Sequence, residues 1–284
     1  MNALDYSASA GWRGRLELGL RLEREGTRLC RVEHEGPLRV QRVFHPEGLT
    51  VPHVYLLHPP GGVVGGDRLD TRITLGAAAR ALLTTPAAQK LYRSAGPTAA
   101  VSNELRLGPG SELEWLPGES LAFAGARATS VTEVHLSQGA AFIGWEISCF
   151  GMPARREAFD SGELVLRFSL WRESQPLLIE SLRLEPASDL LHAACGLRGW
   201  PVLANLYAVP AHGGIYEPVL DCVRELLPGP ERGLFAATAL EELLVVRALA
   251  RSVDEVRKTF VHVWRALRPA LLGRPAHAPR IWAT

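Results

Sequence analysis

Apolar and polar residues alternate with a period of two through the first two thirds of the chain, the rhythm that sets one face of a β-strand on a core. Leu16, Leu18, Leu20 and Leu22 form the clearest run; Leu105 with Leu107, and then Leu164, Leu166, Phe168 and Leu170, repeat it. The stretch from Leu177 to Leu184 carries the same signal. Turn-forming groups such as Gly108-Pro109-Gly110 and Asp160-Ser161-Gly162 separate the segments. Many short strands with frequent turns predict a mainly β protein, a layer or coil of strands and not a βαβ fold.

The rhythm changes near Tyr216. Pro218 suits a first helical turn, Val219, Val223, Leu226 and Leu227 share a face, and Pro228 stops the segment. Leu243 to Leu249 reads as a strand, after which Ser252 and Glu255 have the spacing of a capping box. In the helix that starts there, Val256, Phe260, Val263, Trp264 and Leu267 form an apolar stripe, with Pro269 expected to end it. No linker rich in Gly, Ser or charge, no internal repeat and no low-complexity tract is visible. Residues 1–284 therefore read as a single β-rich domain with two late α-helices.

Composition narrows the classes of function. Of 284 residues, 47% are hydrophobic and 21% charged, which places the chain among folded proteins and not disordered ones. The 31 basic and 30 acidic side chains leave a net charge of +1, so no overall field draws it to phosphate backbones or anionic lipid, and nucleic acid is not an expected partner. Met1 to Gly14 lacks the apolar stretch of a leader, and no window approaches the roughly 18–20 apolar residues needed to span a bilayer. No membrane partner and a cytoplasmic location are expected. Cys30, Cys149, Cys195 and Cys222 form no C-x-x-C pair, so neither a zinc knuckle nor a redox dithiol is indicated, and each is expected to be a small buried hydrophobe.

The most conspicuous local feature is Gly61-Gly62-Val63-Val64-Gly65-Gly66-Asp67. Four glycines let a backbone turn tightly or approach another group closely. The segment lacks the Gly-Lys-Ser/Thr ending of a phosphate loop and the G-x-G-x-x-G spacing of a dinucleotide site, which leaves a structural turn or a ligand-approach site. No G-x-S-x-G elbow and no H-E-x-x-H pair occurs, and His53 and His58, five apart, would fall on opposite faces of a strand.

Carboxylates beside apolar runs carry more chemistry: Asp67, Glu114 and Glu119 around Trp115, and Glu146 after Trp145. Such hard oxygen donors could hold a divalent ion transiently, without the closed nitrogen and sulfur cage that would trap it; taken singly, a partly buried carboxylate more usually pairs with an arginine or a backbone N–H. The stretch from Thr84 to Ser94, with Gln89, Lys90, Tyr92 and Arg93, is dense in hydrogen-bonding groups and suits either a partner surface or a solvated strand and turn.

Several of these blocks together are specific. The string His58-Pro59-Pro60-Gly61-Gly62-Val63-Val64-Gly65-Gly66-Asp67 resembles the Gly-rich signature of the UreD family, called UreH in some organisms, and Thr84 to Ser94 resembles its next block. Glu114-Trp115-Leu116-Pro117-Gly118-Glu119 is similar to the block that follows, and Trp145-Glu146-Ile147 opens a fourth. The run from Trp264 through Arg268-Pro269 to Pro279-Arg280-Ile281-Trp282-Ala283-Thr284 resembles the family ending. Met152, after Phe150-Gly151, departs from the arginine expected in a Gly-Arg pair, which puts any role of that arginine in doubt.

The resemblance implies helically stacked β-sheets with two helices, and a scaffold without turnover of its own. Members of the family bind the urease apoprotein and UreF, which docks the GTPase UreG, and the assembly passes Ni2+ to an active site whose lysine is carbamylated. No tightly bound cofactor is implied, only Ni2+ in transit through an internal, water-filled route. Asp67 and Glu146, then His58 and Glu119, are the expected lining of that route, with oxygen donors weak enough to permit release. Gln89, Lys90, Tyr92 and Arg93 are the expected partner contacts, together with Arg280 and Trp282, at an end either docked on its own fold or held by a partner. Two rival classes remain: a metal-dependent enzyme built on Asp67, Glu146 and a histidine, and a β-rich interaction module with no nickel role.

Overall fold

The alternating segments wind into a coil of strands. The structure, a computed structural model, describes residues 11–185 and 188–283; residues 1–10 of the stretch read for a leader, and Thr284 of the closing block, lie outside the described residues. In chain order come β1 (Arg13–Glu23), β2 (Gly26–Glu35), β3 (Arg39–Val40), β4 (His53–Leu57), β5 (Gly62–Val63) and β6 (Arg68–Leu75). There follow β7 (Arg80–Thr84), β8 (Gln89–Leu91), β9 (Ala99–Leu107), β10 (Glu112–Leu116), β11 (Ser120–Ala122), β12 (Ala126–Leu136) and β13 (Ala141–Phe150). The chain closes with β14 (Gly162–Arg172), β15 (Gln175–Leu184), β16 (Val202–Val209), helix α1 (Glu217–Leu226), β17 (Gly233–Leu240), β18 (Leu243–Ala250) and helix α2 (Val253–Leu272).

Two sheets stack. One runs β15-β14-β12-β9-β6-β1-β2, the other β17-β18-β16-β13-β10-β7-β4-β3. Strands β6, β9, β12 and β14 pair in parallel in the first, β4, β7, β10 and β13 in the second, and the short β5, β8 and β11 make a third parallel side. Each turn of the chain therefore lays one strand on each side, and the fold is mainly β in a solenoid-like arrangement with two late helices. A sequence with no visible internal repeat thus winds along a repeating path. What recurs is a backbone path, which any alternating segment satisfies, and not a residue pattern.

Alternation sorts side chains into two cores. Leu16, Leu18, Leu20, Ile73, Leu105, Val134, Phe142 and Phe168 fill the space between the sheets. On the outer face of the second sheet, Leu116, Ile143, Trp145 and Ile147 meet Val256, Phe260, Val263, Trp264 and Leu267 of α2. The predicted stripe of α2 is fully buried, and the helix starts where expected, although Ser252 Oγ accepts from the N–H of Asp254 and not from Glu255.

Four expectations need correcting. Leu22 is 50% exposed, because it lies at the end of β1 beyond the packed part of the coil. Helix α1 buries Leu220 and Val223 and leaves Leu226 exposed, so its inner face is rotated from the one read above. Pro269 does not end α2, which runs to Leu272, where a left-handed Gly273 caps it by donating its N–H to the Pro269 carbonyl. A proline forfeits a single N–H bond, and ion pairs of the neighbouring Arg268 hold the last turn. Only Cys149 is buried; Cys30 sits on the edge strand β2, Cys195 in a turn and Cys222 on α1, all three exposed.

Candidate functional site

The interior of the coil is apolar except for one belt. Along β13, Phe142, Glu146 and Phe150 point inward while Ile143, Trp145 and Ile147 point to the helices, so period two alone delivers a carboxyl to the inside. On the facing sheet Thr71 stands opposite Asn103, and Asn103 opposite Thr132, in one register row. Asn103 Nδ2 donates to Thr132 Oγ1 at 3.3 Å. Thr132 is fully buried and hydrogen-bonds the Glu146 carboxyl.

Two cavities meet at this belt. The first, of about 520 Å3, runs from His58, Pro59, Gly61 and the segment Thr85 to Gln89 inward to Thr71, Asn103, Ser130, Glu146 and Ser148. Pro59, Pro86 and Ala87 are exposed and mark where it meets the surface. The second, of about 810 Å3, continues from Glu146, Ser148 and Leu166 to Glu180, Asn205, Tyr207 and Arg247. Glu146 thus borders both. Protein encloses its carboxyl while leaving it open space in the cavity. Burial raises its pKa to about 7, against the opposing hydrogen bond of Thr132, so the group exchanges its proton near neutrality.

The other sequence candidates have distinct surroundings. Both Asp67 oxygens are engaged, Oδ1 by the N–H of Trp12 at 2.8 Å and Oδ2 by the N–H of Val64 at 2.9 Å, which pins the Gly-rich turn. His58 lines the first cavity, and burial lowers its pKa despite the opposing charge of Asp67. Glu119 is ion-paired with Arg257 of α2. Glu114, fully buried, accepts from Trp264 Nε1 at 2.7 Å and from Arg268 and Arg274, and borders neither cavity. Among the described residues no group of three or more His, Cys, Asp or Glu side chains is placed to hold a metal ion together.

The glycine block and the block after it form one unit. A Cβ on Gly62 would lie 2.1 Å from the Tyr92 ring, and one on Gly65 would lie 2.0 Å from Ser94 Oγ, so close approach requires both glycines. The first cavity therefore opens beside the surface that carries exposed Tyr92 and Arg93 and part-buried Gln89 and Lys90, with Tyr92 stacked on Phe123 at 5.1 Å. Trp282 is docked on the protein's own fold: its ring lies 5.5 Å from that of Trp145 and 5.4 Å from that of Trp264, and its Nε1 donates to Thr84 Oγ1 at 3.1 Å. Arg280, two residues earlier, is exposed. Met152, at the departure noted above, pairs with Glu157 across a short turn.

Asn103, Thr132, Asn205, Glu180 and Arg247 were missed in the sequence. The signal for two of them was present: Asn103 interrupts the inward series Val101, Leu105, Leu107, and Thr132, with Ser130, interrupts the inward series Ala126, Ala128, Val134, Leu136. A polar residue on the inward beat of a strand is costly to bury without a partner and so marks an internal polar feature.

The profile of the UreD urease accessory protein family matches residues 12–283. The urease accessory protein UreD of Alcanivorax borkumensis is 43% identical over 278 residues, covering 96% of this chain and 93% of that protein. The UreD 2 of Brucella anthropi is 43% identical over 277 residues, 97% of this chain and 100% of its own length. That of Pseudomonas putida is 45% identical over 276 residues, 97% and 95% respectively. With a family match over nearly its whole length and relatives of this identity, the chain belongs to the UreD family of urease accessory proteins.

Proposed function

We propose that this protein is a urease maturation scaffold that binds the urease apoprotein and UreF, with UreG joining through UreF, and passes Ni2+ through its interior to the urease active site. The observation that carries the reading is Glu146, an enclosed carboxyl at the junction of two cavities, in a belt of hydroxyl and amide groups. Oxygen donors of this kind take a hard or borderline cation in place of its water, yet they form no closed cage that would retain it. His58, at the first cavity, adds an imidazole nitrogen near one opening. Asp67 supports the route from outside it by holding the loop that carries Gly61 and Val64. The side chains around Tyr92 and Arg93 offer a partner surface next to that opening, which suits a route continuing into a bound protein.

The test is the nickel content and specific activity of urease in cells that carry Glu146→Gln in place of the unaltered chain. The expected result is a drop of roughly tenfold or more in the rate of activation, equivalent to about 1.4 kcal/mol on the barrier to passage, with UreF and urease still co-purifying. Full nickel loading by the variant in an intact complex would remove the internal route.

A further inference from the structure

The register rows that cross Glu146 and Thr132 both lead to one ion pair. On one sheet Glu146 lies opposite Asn205, and Asn205 opposite Arg247. On the other, Thr132 lies opposite Phe168, and Phe168 opposite Glu180. Directly opposed residues share a face; Glu146, Asn205, Phe168, Glu180 and Arg247 border the second cavity, and both rows end where Arg247 meets Glu180 in a salt bridge. Between these ends Asn205 borders the cavity, and its Oδ1 is buried with no hydrogen-bond partner, an acceptor left unused. Arg167, the other cation bordering this cavity, sits between the inward residues Leu166 and Phe168 and belongs by alternation to the opposite face of β14.

The two members of the pair are held very differently. Glu180 Oε2 accepts from the Tyr207 hydroxyl at 2.8 Å, and Tyr207 is fully buried with its ring stacked on Phe168 at 3.9 Å. Arg247 has a side chain 48% exposed. An ion pair with so exposed a partner is worth about 0–1 kcal/mol, so Arg247 can leave at little cost while Glu180 stays in place. A guanidinium never gives up its charge at neutral pH, and while it sits on Glu180 it both cancels that carboxylate and repels any cation approaching from Glu146.

We propose that Arg247 is a movable cationic plug, seated on Glu180 at the outer end of the second cavity, which bars a divalent cation from the Asn205 and Glu180 oxygens until the side chain is drawn away. The proposal rests on the reading of the interior as a cation route and names the residue that controls its far end. Swinging Arg247 aside exposes the Glu180 carboxylate, so one movement both removes a repulsive charge and uncovers an attractive one.

Isothermal titration of the full chain with NiCl2 reads the plug directly. Arg247→Met keeps the length of the side chain and removes the charge, and it is expected to bind Ni2+ roughly tenfold more tightly than the unaltered protein. Arg247→Lys, which keeps a cation, is expected to behave like the unaltered protein, and adding Asn205→Ala to Arg247→Met is expected to abolish the gain. Circular dichroism checks that each variant is folded. Equal Ni2+ binding by a folded Arg247→Met variant, or a gain that survives Asn205→Ala, would overturn the plug. Its failure is separable from that of the route: impaired urease loading by Glu146→Gln with unchanged binding by Arg247→Met rejects the plug alone, whereas normal loading by Glu146→Gln rejects the route whatever Arg247→Met does.

Discussion

Glu114 and Glu146 sit on neighbouring parallel strands, each beside a tryptophan, yet they face opposite sides of the same sheet. In β10 the order is Glu114-Trp115 and in β13 it is Trp145-Glu146, and the pairing sets Trp115 opposite Gly144. Trp115 and Glu146 therefore look into the coil, whereas Trp145 and Glu114 look toward α2. Glu114 meets two arginines and an indole N–H and is saturated. Glu146 meets a threonine and an open cavity, and among the described residues no cation pairs with it. A buried carboxylate that is fully partnered holds a fold together; one left short of partners beside open space can exchange a proton or a metal ion.

The largest effect that would sharpen this contrast is at Arg268, which bonds Glu114 and, in a forked contact at 2.6 and 2.7 Å, Glu47. Arg268→Met removes the cation shared by buried Glu114, which keeps Trp264 and Arg274, and part-buried Glu47, which keeps His53, and should lower the free energy of unfolding by about 3–5 kcal/mol in urea titrations. A loss below 1 kcal/mol would mean that the helix-facing side is not the structural one.

Glu146→Gln should do the reverse. Its folded pKa, about 7, lies above the ordinary 4.5, so between those values the folded protein keeps a proton that the unfolded chain has released. Stability therefore falls as pH rises from about 4.5 to 7 and then levels off, and Gln removes that slope. By pH 8 the variant should be the more stable of the two, by about 3 kcal/mol at most. Glu47 provides the opposite slope: although burial opposes it, hydrogen bonds from His53 and Arg268 bring its pKa to about 2, so its contribution is complete above 4.5 and is lost as pH falls toward 2. A denaturation series in which Glu146→Gln tracks the unaltered protein from pH 5 to pH 8 would break the contrast.

The smallest effect is expected at Asp67, which resembles Glu114 in being saturated but sits near the surface, beside an exposed Val64. Asp67→Ala frees two N–H groups, one of which water can reach, and should cost about 1 kcal/mol. Thermal unfolding would register it as a shift of a few degrees at most.

Much of the architecture was legible because period two and period 3.6 are local. The inward beat at Leu16, Leu18 and Leu20, the strand from Leu243 and the stripe from Val256 to Leu267 all lie where the patterns put them. The coil itself was less visible, since its turns share pairing partners and not residue types. Pro269 shows the limit of a local rule: the ion pairs of Arg268 reach residues far away in the chain and hold a turn that propensity alone would release.

Residue order by itself determined that this chain is β-rich with late helices, that Glu146 and Trp145 point opposite ways, and, through its blocks, which family it resembles. It could not determine which way each points, because alternation assigns two faces without saying which is the inside. Only the stacking of the sheets and the docking of α2 on one of them decided that Glu114 would meet Arg268 while Glu146 would face a cavity. The same stacking joined Asn205, Glu180 and Arg247 from three strands into one cavity wall. Contacts between distant strands set which carboxylate is neutralised, and no local pattern encodes them.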